Sequence, residues 1–440
     1  MSQFVGQIER RTQNRIVRLF CEQLGYRYLG NWEDRQGNSN IEEGLLTQYL
    51  LQKGYSQNII SKAIYELRNT ANNYQLSLYS NNNNVYELLR YGVGVVPEAG
   101  VNTETVHFID WKNPQAIDFA IAEEVTILGN REKRPDIVIY VNGIALGVLE
   151  LKRSTVSISD GIRQNITNQQ KEFIESFFTT IQWVFAGNDT QGLRYGAINT
   201  PEKYYLHWKE DTEQQDKLLL DKYLLKLCEK QRFLEIIYDF MLFDGGIKKI
   251  CRHNQYFGVK SAQEFIRRKE NGIIWHTQGS GKSLSMVWLA KWILENNPHA
   301  RVAIITDRDE LDKQIERVFL EAGENQIKRT RSGRELMSIL GNPLPRLVCS
   351  LVHKFGKKEV GDFDAFIDEL QSNPLPVVGE LFIFVDECHR TQSGRLHKTM
   401  KAMLPNAVFI GFTGTPLLKK DKQTSIEVFG RYIHTNSTKP

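Results

Sequence analysis

His276-Thr277-Gln278-Gly279-Ser280-Gly281-Lys282-Ser283 carries more information about this chain than any other stretch of its length. The apolar run Ile273-Ile274-Trp275 before it reads as a strand, and Leu284 to Leu294 after it reads as a helix. A short glycine-rich turn between strand and helix aims several backbone N–H groups at one point. There the helix N-terminus adds a partial positive charge and Lys282 a full one. Such a cradle suits a nucleoside triphosphate, contacted by Thr277, Gly279, Ser280, Gly281 and Lys282, with the Ser283 hydroxyl placed to hold Mg2+. The general pattern asks for glycine where His276 stands, so only the Gly-Ser-Gly-Lys-Ser core is intact. The plain alternative is a Gly/Ser turn with an incidental lysine.

Downstream, Val302 to Thr306, Leu347 to Ser350, Leu381 to Val385 and Val408 to Thr413 are further compact apolar runs, with helical stretches between most of them. That alternation predicts a parallel α/β sheet covered on both faces. In such sheets ligands sit at the carboxyl ends of the strands. Asp386-Glu387-Cys388-His389 follows one strand there, and Thr413-Gly414-Thr415-Pro416 closes another. Asp386 is suited to hold the Mg2+ that bridges the β- and γ-phosphates, and Glu387 to orient and deprotonate the attacking water. Taken alone, the two carboxylates also fit a solvated strand end with a helix cap.

The upstream half reads differently. Residues 1 to about 100 are mainly helical in pattern, with Ile41 to Lys53 and Asn58 to Ala71 at helical spacing and Asn81 to Asn84 as a loop tip. Strands dominate from Val106 to Ala197, and the charged segment Pro201 to Arg232 reads as a connector. The predicted domains are therefore residues 1–232 and 233–440. Within the first, Ile137 to Val141 and Ile144 to Leu151 flank Asn142-Gly143, the favoured two-residue hairpin turn. Side chains alternate along a strand, so Glu150 and Lys152 point the same way. The fold-back brings Asp136 beside them. Two carboxylates and a lysine at one strand end suit metal-assisted phosphodiester cleavage: Asp136 and Glu150 as Mg2+ ligands, Lys152 to orient water or offset charge on the phosphate. The plain alternative is a solvated hairpin with a surface salt bridge.

At 440 residues there is room for two or three domains. A net charge of +4 permits a nucleic-acid partner without implying one. Five scattered cysteines lack metal-ligand spacing and read as reduced thiols. The N-terminus is polar, with no signal-peptide core, and no apolar run approaches membrane-spanning length, so a cytoplasmic protein with no membrane partner is expected.

The phosphate loop, the Asp386 box and Thr413 to Pro416 resemble motifs I, II and III of superfamily 2 helicases. Val302 to Arg308 is similar to motif Ia, whose resemblance implies DNA-backbone contact by Thr306 and Arg308. Arg252, Gln255 and Tyr256 are similar to the adenine-reading Q motif, with Gln255 as reader; a surface amide is the alternative. The resemblance implies that Thr413 and Thr415 couple nucleotide chemistry to nucleic-acid movement. Pro135-Asp136 with Glu150-x-Lys152 resembles the PD-(D/E)xK nucleases. That fold implies a further acid from an upstream helix, Glu43 or Glu42, and a DNA contact by Gln164, although Asn168 stands where its tyrosine partner is expected.

In this order the motifs resemble the R (restriction, motor) subunit of type I restriction endonucleases. The implied fold is α/β: a PD-(D/E)xK nuclease domain, a mixed sheet flanked by helices, followed by one RecA-like parallel α/β motor lobe. The resemblance implies ATP and Mg2+ as cofactors, ATP-driven translocation of double-stranded DNA with endonucleolytic cleavage, and partners in a specificity and a methyltransferase subunit. A second motor lobe would be missing, which leads to the expectation that the chain is an N-terminal portion. Alternatives are a type III or repair helicase–nuclease, or a truncated relic that binds DNA or the methyltransferase without cutting.

Overall fold

In this computed structural model residues 9–98, 100, 102–210, 218–306, 313, 315–317, 319–320, 327–330, 333–351, 378–386, 401, 404–414 and 429–436 are described. They fall into two units, Met1–Arg252 and His253–Pro440. The first begins with α1 (Glu9–Arg18), β1 (Arg27–Asn31), α2 (Glu43–Gln52), α3 (Gln57–Ala71) and α4 (Leu78–Tyr91). A short ladder of β2 (Val93–Val95) and β3 (Glu104–Val106) precedes β4 (Phe119–Glu123), β5 (Ile137–Val141) and β6 (Ile144–Leu151). Then come α5 (Ile158–Asn168), β7 (Trp183–Asn188), β8 (Gly192–Gly196), α6 (Leu219–Leu227), α7 (Lys230–Asp239) and the hairpin of β9 (Met241–Asp244) and β10 (Ile247–Ile250).

The main sheet of this unit runs β1-β4-β5-β6-β7-β8. It is mixed: β1–β4 and β6–β7 are parallel, the remaining pairs antiparallel. Every residue of β4 to β7 is buried, which explains why the hairpin reads as continuous apolar runs rather than an alternation. The turn has φ of 53° at Asn142 and 83° at Gly143, the left-handed pair a tight hairpin needs. On one face Val138, Val148 and Val184 pack with Trp32, Phe177 and Phe178, and toward the strand ends Ile158 and Ile162 of α5 cover Ala186.

Asn81 to Asn84, expected as a loop tip, lie inside α4. Ser77 caps that helix by accepting from the Ser80 N–H. Two of the asparagines face inward: Asn81 Nδ2 donates to Asn73 O (2.8 Å), and Asn82 Nδ2 approaches the carbonyls of Phe178 (3.2 Å), Thr179 (3.0 Å) and Ile181 (2.8 Å). Tertiary partners override the weak helix propensity of asparagine. Asn82 Oδ1 accepts from the buried Lys248 Nζ at 2.7 Å, and Gln182 Oε1 accepts from the same ammonium. Burial holds Lys248 well below the ordinary lysine range. Asn82→Leu strands those carbonyls and takes a partner from Lys248, so a loss of about 2–4 kcal/mol is expected in urea unfolding.

The division at Arg252 falls later than the expected 232/233. Helix α7 and the β9–β10 hairpin are tied to the first unit: Tyr86 Oη donates to Ile237 O at 3.0 Å, and Lys248 is bonded as above.

The second unit contains α8 (His253–Arg267), β11 (Gly272–His276), α9 (Lys282–Asn296), β12 (Ala300–Thr306), β13 (Ile327–Thr330), β14 (Leu347–Leu351), β15 (Glu380–Asp386), β16 (Val408–Thr413) and β17 (Tyr432–Asn436). Its sheet is parallel throughout, in the order β13-β14-β12-β15-β16-β11-β17. The five apolar runs of the sequence are its interior strands. The edge strands β13 and β17 carry mixed side chains (Ile-Lys-Arg-Thr and Tyr-Ile-His-Thr-Asn), so no apolar run announces them. Among the described residues no helix is long and apolar enough to cross a membrane.

Candidate active sites

In the first unit the hairpin register sets the geometry. Ile137 pairs with Leu149, so Asp136, the residue before β5, stands across from Glu150. Asp136 Oδ2 accepts the Leu151 N–H at 2.6 Å. Glu150 is wholly buried; its Oε1 accepts from Asn168 Nδ2 of α5 at 3.1 Å, and its Oε2 has no partner. Burial pushes the Asp136 carboxyl up to about 6 against the pull of Lys152. Burial, and then the neighbouring Asp136, drive Glu150 well above the usual carboxylate range. Burial works against the charge on Lys152, yet Asp136, Glu150 and Glu9 together hold its ammonium above the ordinary lysine value.

A half-buried carboxyl group, Asp136, and a wholly buried one, Glu150, face each other, the latter with an orphaned oxygen, and form a donor set that suits a hard divalent cation. Mg2+ accepts one or two protein carboxylates and keeps waters for the rest, so the pair fits it. Among the described residues no group of three or more His, Cys, Asp or Glu is placed to hold a metal ion, so the candidate donors here are Asp136 and Glu150.

Lys152 Nζ lies 3.3 Å from Glu9 Oε1 and 2.9 Å from Leu151 O. Glu9 opens α1, which Arg15 ties down by pairing with both Asp189 and Asp221. An upstream-helix acid that reaches this cluster, through its ion pair with Lys152, is Glu9. Glu42 and Glu43 are elsewhere: the Glu42 N–H donates to Gly143 O (2.8 Å) at the hairpin turn, at the other end of the strands. The Glu42 carboxylate is taken by Arg35, and Glu43 pairs with Arg68 at the surface. Sequence spacing cannot link residues so far apart; the only signal for Glu9 is an acid opening an amphipathic helix. Asn168, which stands in place of the expected tyrosine, is in contact with Glu150. Gln164 lies one helical turn before it, half-buried.

In the second unit, strand register lines up the expected nucleotide-site residues. Ile305 pairs with Val385, Asp386 with Phe412, and Trp275 with Thr413. Thr306, Asp386, Thr413 and His276 thus end four adjacent strands at one edge of the sheet. From β11 the chain turns through Thr277 to Gly281 into α9, which Lys282 and Ser283 open. Gly279 (φ 79°) and Gly281 (φ 85°) adopt the left-handed backbone this loop requires. The Ser280 N–H donates to Thr277 O at 3.2 Å, and the buried Ser280 Oγ has no partner. Gln255 Nε2 donates to Gly281 O at 2.8 Å, so its donor end braces the loop.

Thr306 is wholly buried, so its side chain does not present to a DNA backbone as expected. Glu387, Thr415 and Arg308 lie outside the described residues.

Two families match this chain. Residues 7–203 match the family described as Type I restriction enzyme R protein N terminus, and residues 254–439 match SWI2/SNF2 ATPase. The type I restriction enzyme HindI endonuclease subunit of Haemophilus influenzae is 29% identical over 80% of this chain and 36% of its own length. The SauCOLORF180P endonuclease subunit of Staphylococcus aureus is 26% identical over 74% of this chain and 35% of its own. The chain thus spans about a third of the length of these curated relatives. A solved structure, the Sulfolobus solfataricus SWI2/SNF2 ATPase core in complex with dsDNA, is 15% identical over 40% of this chain and 34% of that one. Its TM-score of 0.29 is too low to bear on the assignment.

Proposed function

We propose that this chain, whose residues 7–203 match the type I restriction enzyme R protein N-terminal family and residues 254–439 the SWI2/SNF2 ATPases, is a type I site-specific deoxyribonuclease subunit. In this reading the first unit cuts double-stranded DNA with Mg2+, and the second uses ATP to move DNA past a complex held at its recognition site. The observation that carries it is the wholly buried Glu150 facing Asp136 beside Lys152, on a chain that also builds a phosphate loop.

Mg2+ held there would supply charge neutralisation at the scissile phosphate and a more acidic water. Asp136 and Glu150 would hold it, with Asn168 fixing the Glu150 carboxylate through its amide. Lys152 orients the attacking water or offsets phosphate charge, and Glu9 fixes the ammonium. Gln164 is the proposed DNA contact on α5. In the second unit the Gly279–Gly281 backbone and Lys282 would grip a triphosphate, Ser283 and Asp386 would hold its Mg2+, Glu387 would orient water, and Thr413 and Thr415 would link nucleotide chemistry to movement. A specificity and a methyltransferase subunit are the proposed partners, and the cytoplasm the proposed compartment.

The test is supercoiled plasmid incubated with the purified chain and Mg2+. Slow nicking is expected that EDTA stops and Lys152→Ala reduces at least about tenfold. Nicking at the wild-type rate in Lys152→Ala would overturn the nuclease assignment.

A further inference from the structure

His276 occupies the position where phosphate loops carry glycine, and the structure gives its ring a defined surrounding. It is fully buried at the end of β11. Its Nε2 lies 2.9 Å from Nδ1 of His434 on the edge strand β17, with the rings edge-on at 84°. On the other side Asn254 Nδ2 approaches His276 Nδ1 at 3.5 Å. A Cβ on Gly258 of α8 would come within 2.8 Å of His276 Cε1, so only glycine leaves the ring its space. Burial first, then His434, Lys282 and His253, hold the His276 imidazole down to about 3. Burial also lowers His434. Both rings are neutral at physiological pH, so the contact is an N–H···N bond with one donor and one acceptor. An amide nitrogen only donates, so Asn254 favours the tautomer in which His276 Nε2–H donates to His434 Nδ1.

We propose that the His276–His434 hydrogen bond is a positioning device for nucleotide binding, pinning the root of the phosphate loop to strand β17 and helix α8. The loop begins at the next residue, Thr277, and two of its glycines already hold left-handed backbone before any phosphate arrives. Gln255 Nε2 braces the far end of the loop at Gly281 O, and the histidine pair fixes the near end. A loop held at both ends loses less freedom when the triphosphate binds, so affinity is gained without a direct contact. Glycine at position 276 has no ring with which to make this tie. Its cost is a buried ring at 276 that needs the half-buried His434 on β17 as partner.

This inference rests on the nucleotide reading of the loop, and the two are tested separately by titrating a fluorescent ATP analogue with Mg2+ into the 440-residue chain. No saturable binding by the wild-type chain would sink the nucleotide reading itself. With binding established, His434→Ala is expected to weaken it about tenfold, the scale of losing an outer-sphere orienting partner. His434→Gln, which can still bond His276 Nε2, restores most of the affinity. The double variant His276→Asn/His434→Ala is no weaker than the poorer single variant, because both act through one bond. Wild-type affinity in His434→Ala, no rescue by glutamine, or losses that multiply in the double variant each overturn the proposal. Imidazole 15N NMR of the wild-type chain at neutral pH reads the bond without mutation. His276 protonated on Nε2 alone, donating to an unprotonated His434 Nδ1, supports it; a cationic His276, or Nε2 left without a bonded partner, overturns it.

Discussion

Asp136→Asn is expected to lower Mg2+-dependent nicking by more than about 100-fold while leaving the chain folded and, without metal, more stable than the wild type. The loss exceeds the roughly 10–100-fold typical of an outer-sphere partner, because Asp136 is one of only two carboxylates proposed to hold the ion. The fold survives because the asparagine carbonyl can keep the Leu151 N–H, which Asp136 Oδ2 now accepts at 2.6 Å. The stability gain follows from proton linkage. Asp136 titrates near 6 in the folded chain against an ordinary value of 3.8, raised chiefly by burial. Folding therefore favours the protonated acid: its contribution is present below about pH 4 and is lost as pH rises through about 6. A rise from 3.8 to about 6 corresponds to ~3 kcal/mol as an upper scale. Thermal unfolding without metal should show Asp136→Asn and wild type converging near pH 4 and separating above pH 6. Adding Mg2+ at pH 8 should stabilise the wild type and leave the variant nearly unchanged. A variant less stable than wild type at pH 8 would contradict the picture of two crowded carboxyls waiting for a cation.

The parts of this protein that depend on short-range pattern are legible in its sequence. Asn142-Gly143 between apolar runs fixes the hairpin, and the hairpin alone brings Asp136 across from Glu150. A strand, a glycine turn and a helix fix the phosphate loop. What escapes depends on distance along the chain or on a residue's partner rather than its type. Glu9 meets Lys152 because α1 is fastened across the chain, by Arg15 to Asp189 and Asp221, Arg10 to Glu123 and Gln13 to the Asp136 carbonyl. Glu43 has the right local setting, an acid at a helix start, but α2 is bonded to the wrong end of the hairpin. Asn168 lacks the expected identity, although its amide supplies a hydrogen bond to Glu150. Asn81 to Asn84 carry loop composition yet lie in a helix, where Asn82 is held by carbonyls of the neighbouring segment and by Lys248. Strand β17 has no apolar run to announce it, and so nothing in the sequence points to His434, the partner that accounts for His276.

Lys282→Ala is expected to weaken binding of an ATP analogue by at least about 100-fold and to abolish hydrolysis, with little change in melting temperature. The loop offers a triphosphate two kinds of positive charge. The amides and the N-terminus of α9 amount to about half an elementary charge and fall off within a turn. Lys282 supplies a whole charge at the same helix start. Ion-assisted hydrogen bonds are roughly twice as strong as neutral ones, so the ammonium outweighs any single backbone donor of the cradle. Structural damage is small because Lys282 is only partly buried and α9 is anchored by Met286, Trp288 and Leu289, all wholly or almost wholly buried. The same variant has a second, independent consequence. Lys282 is among the charges that push His276 down, after burial and His434, so its removal should raise the His276 titration from about 3. That rise is read by imidazole NMR with no nucleotide present. A lost affinity with an unmoved His276 would mean that the lysine side chain points away from the loop root, and the loss would then need a cause other than charge at the cradle.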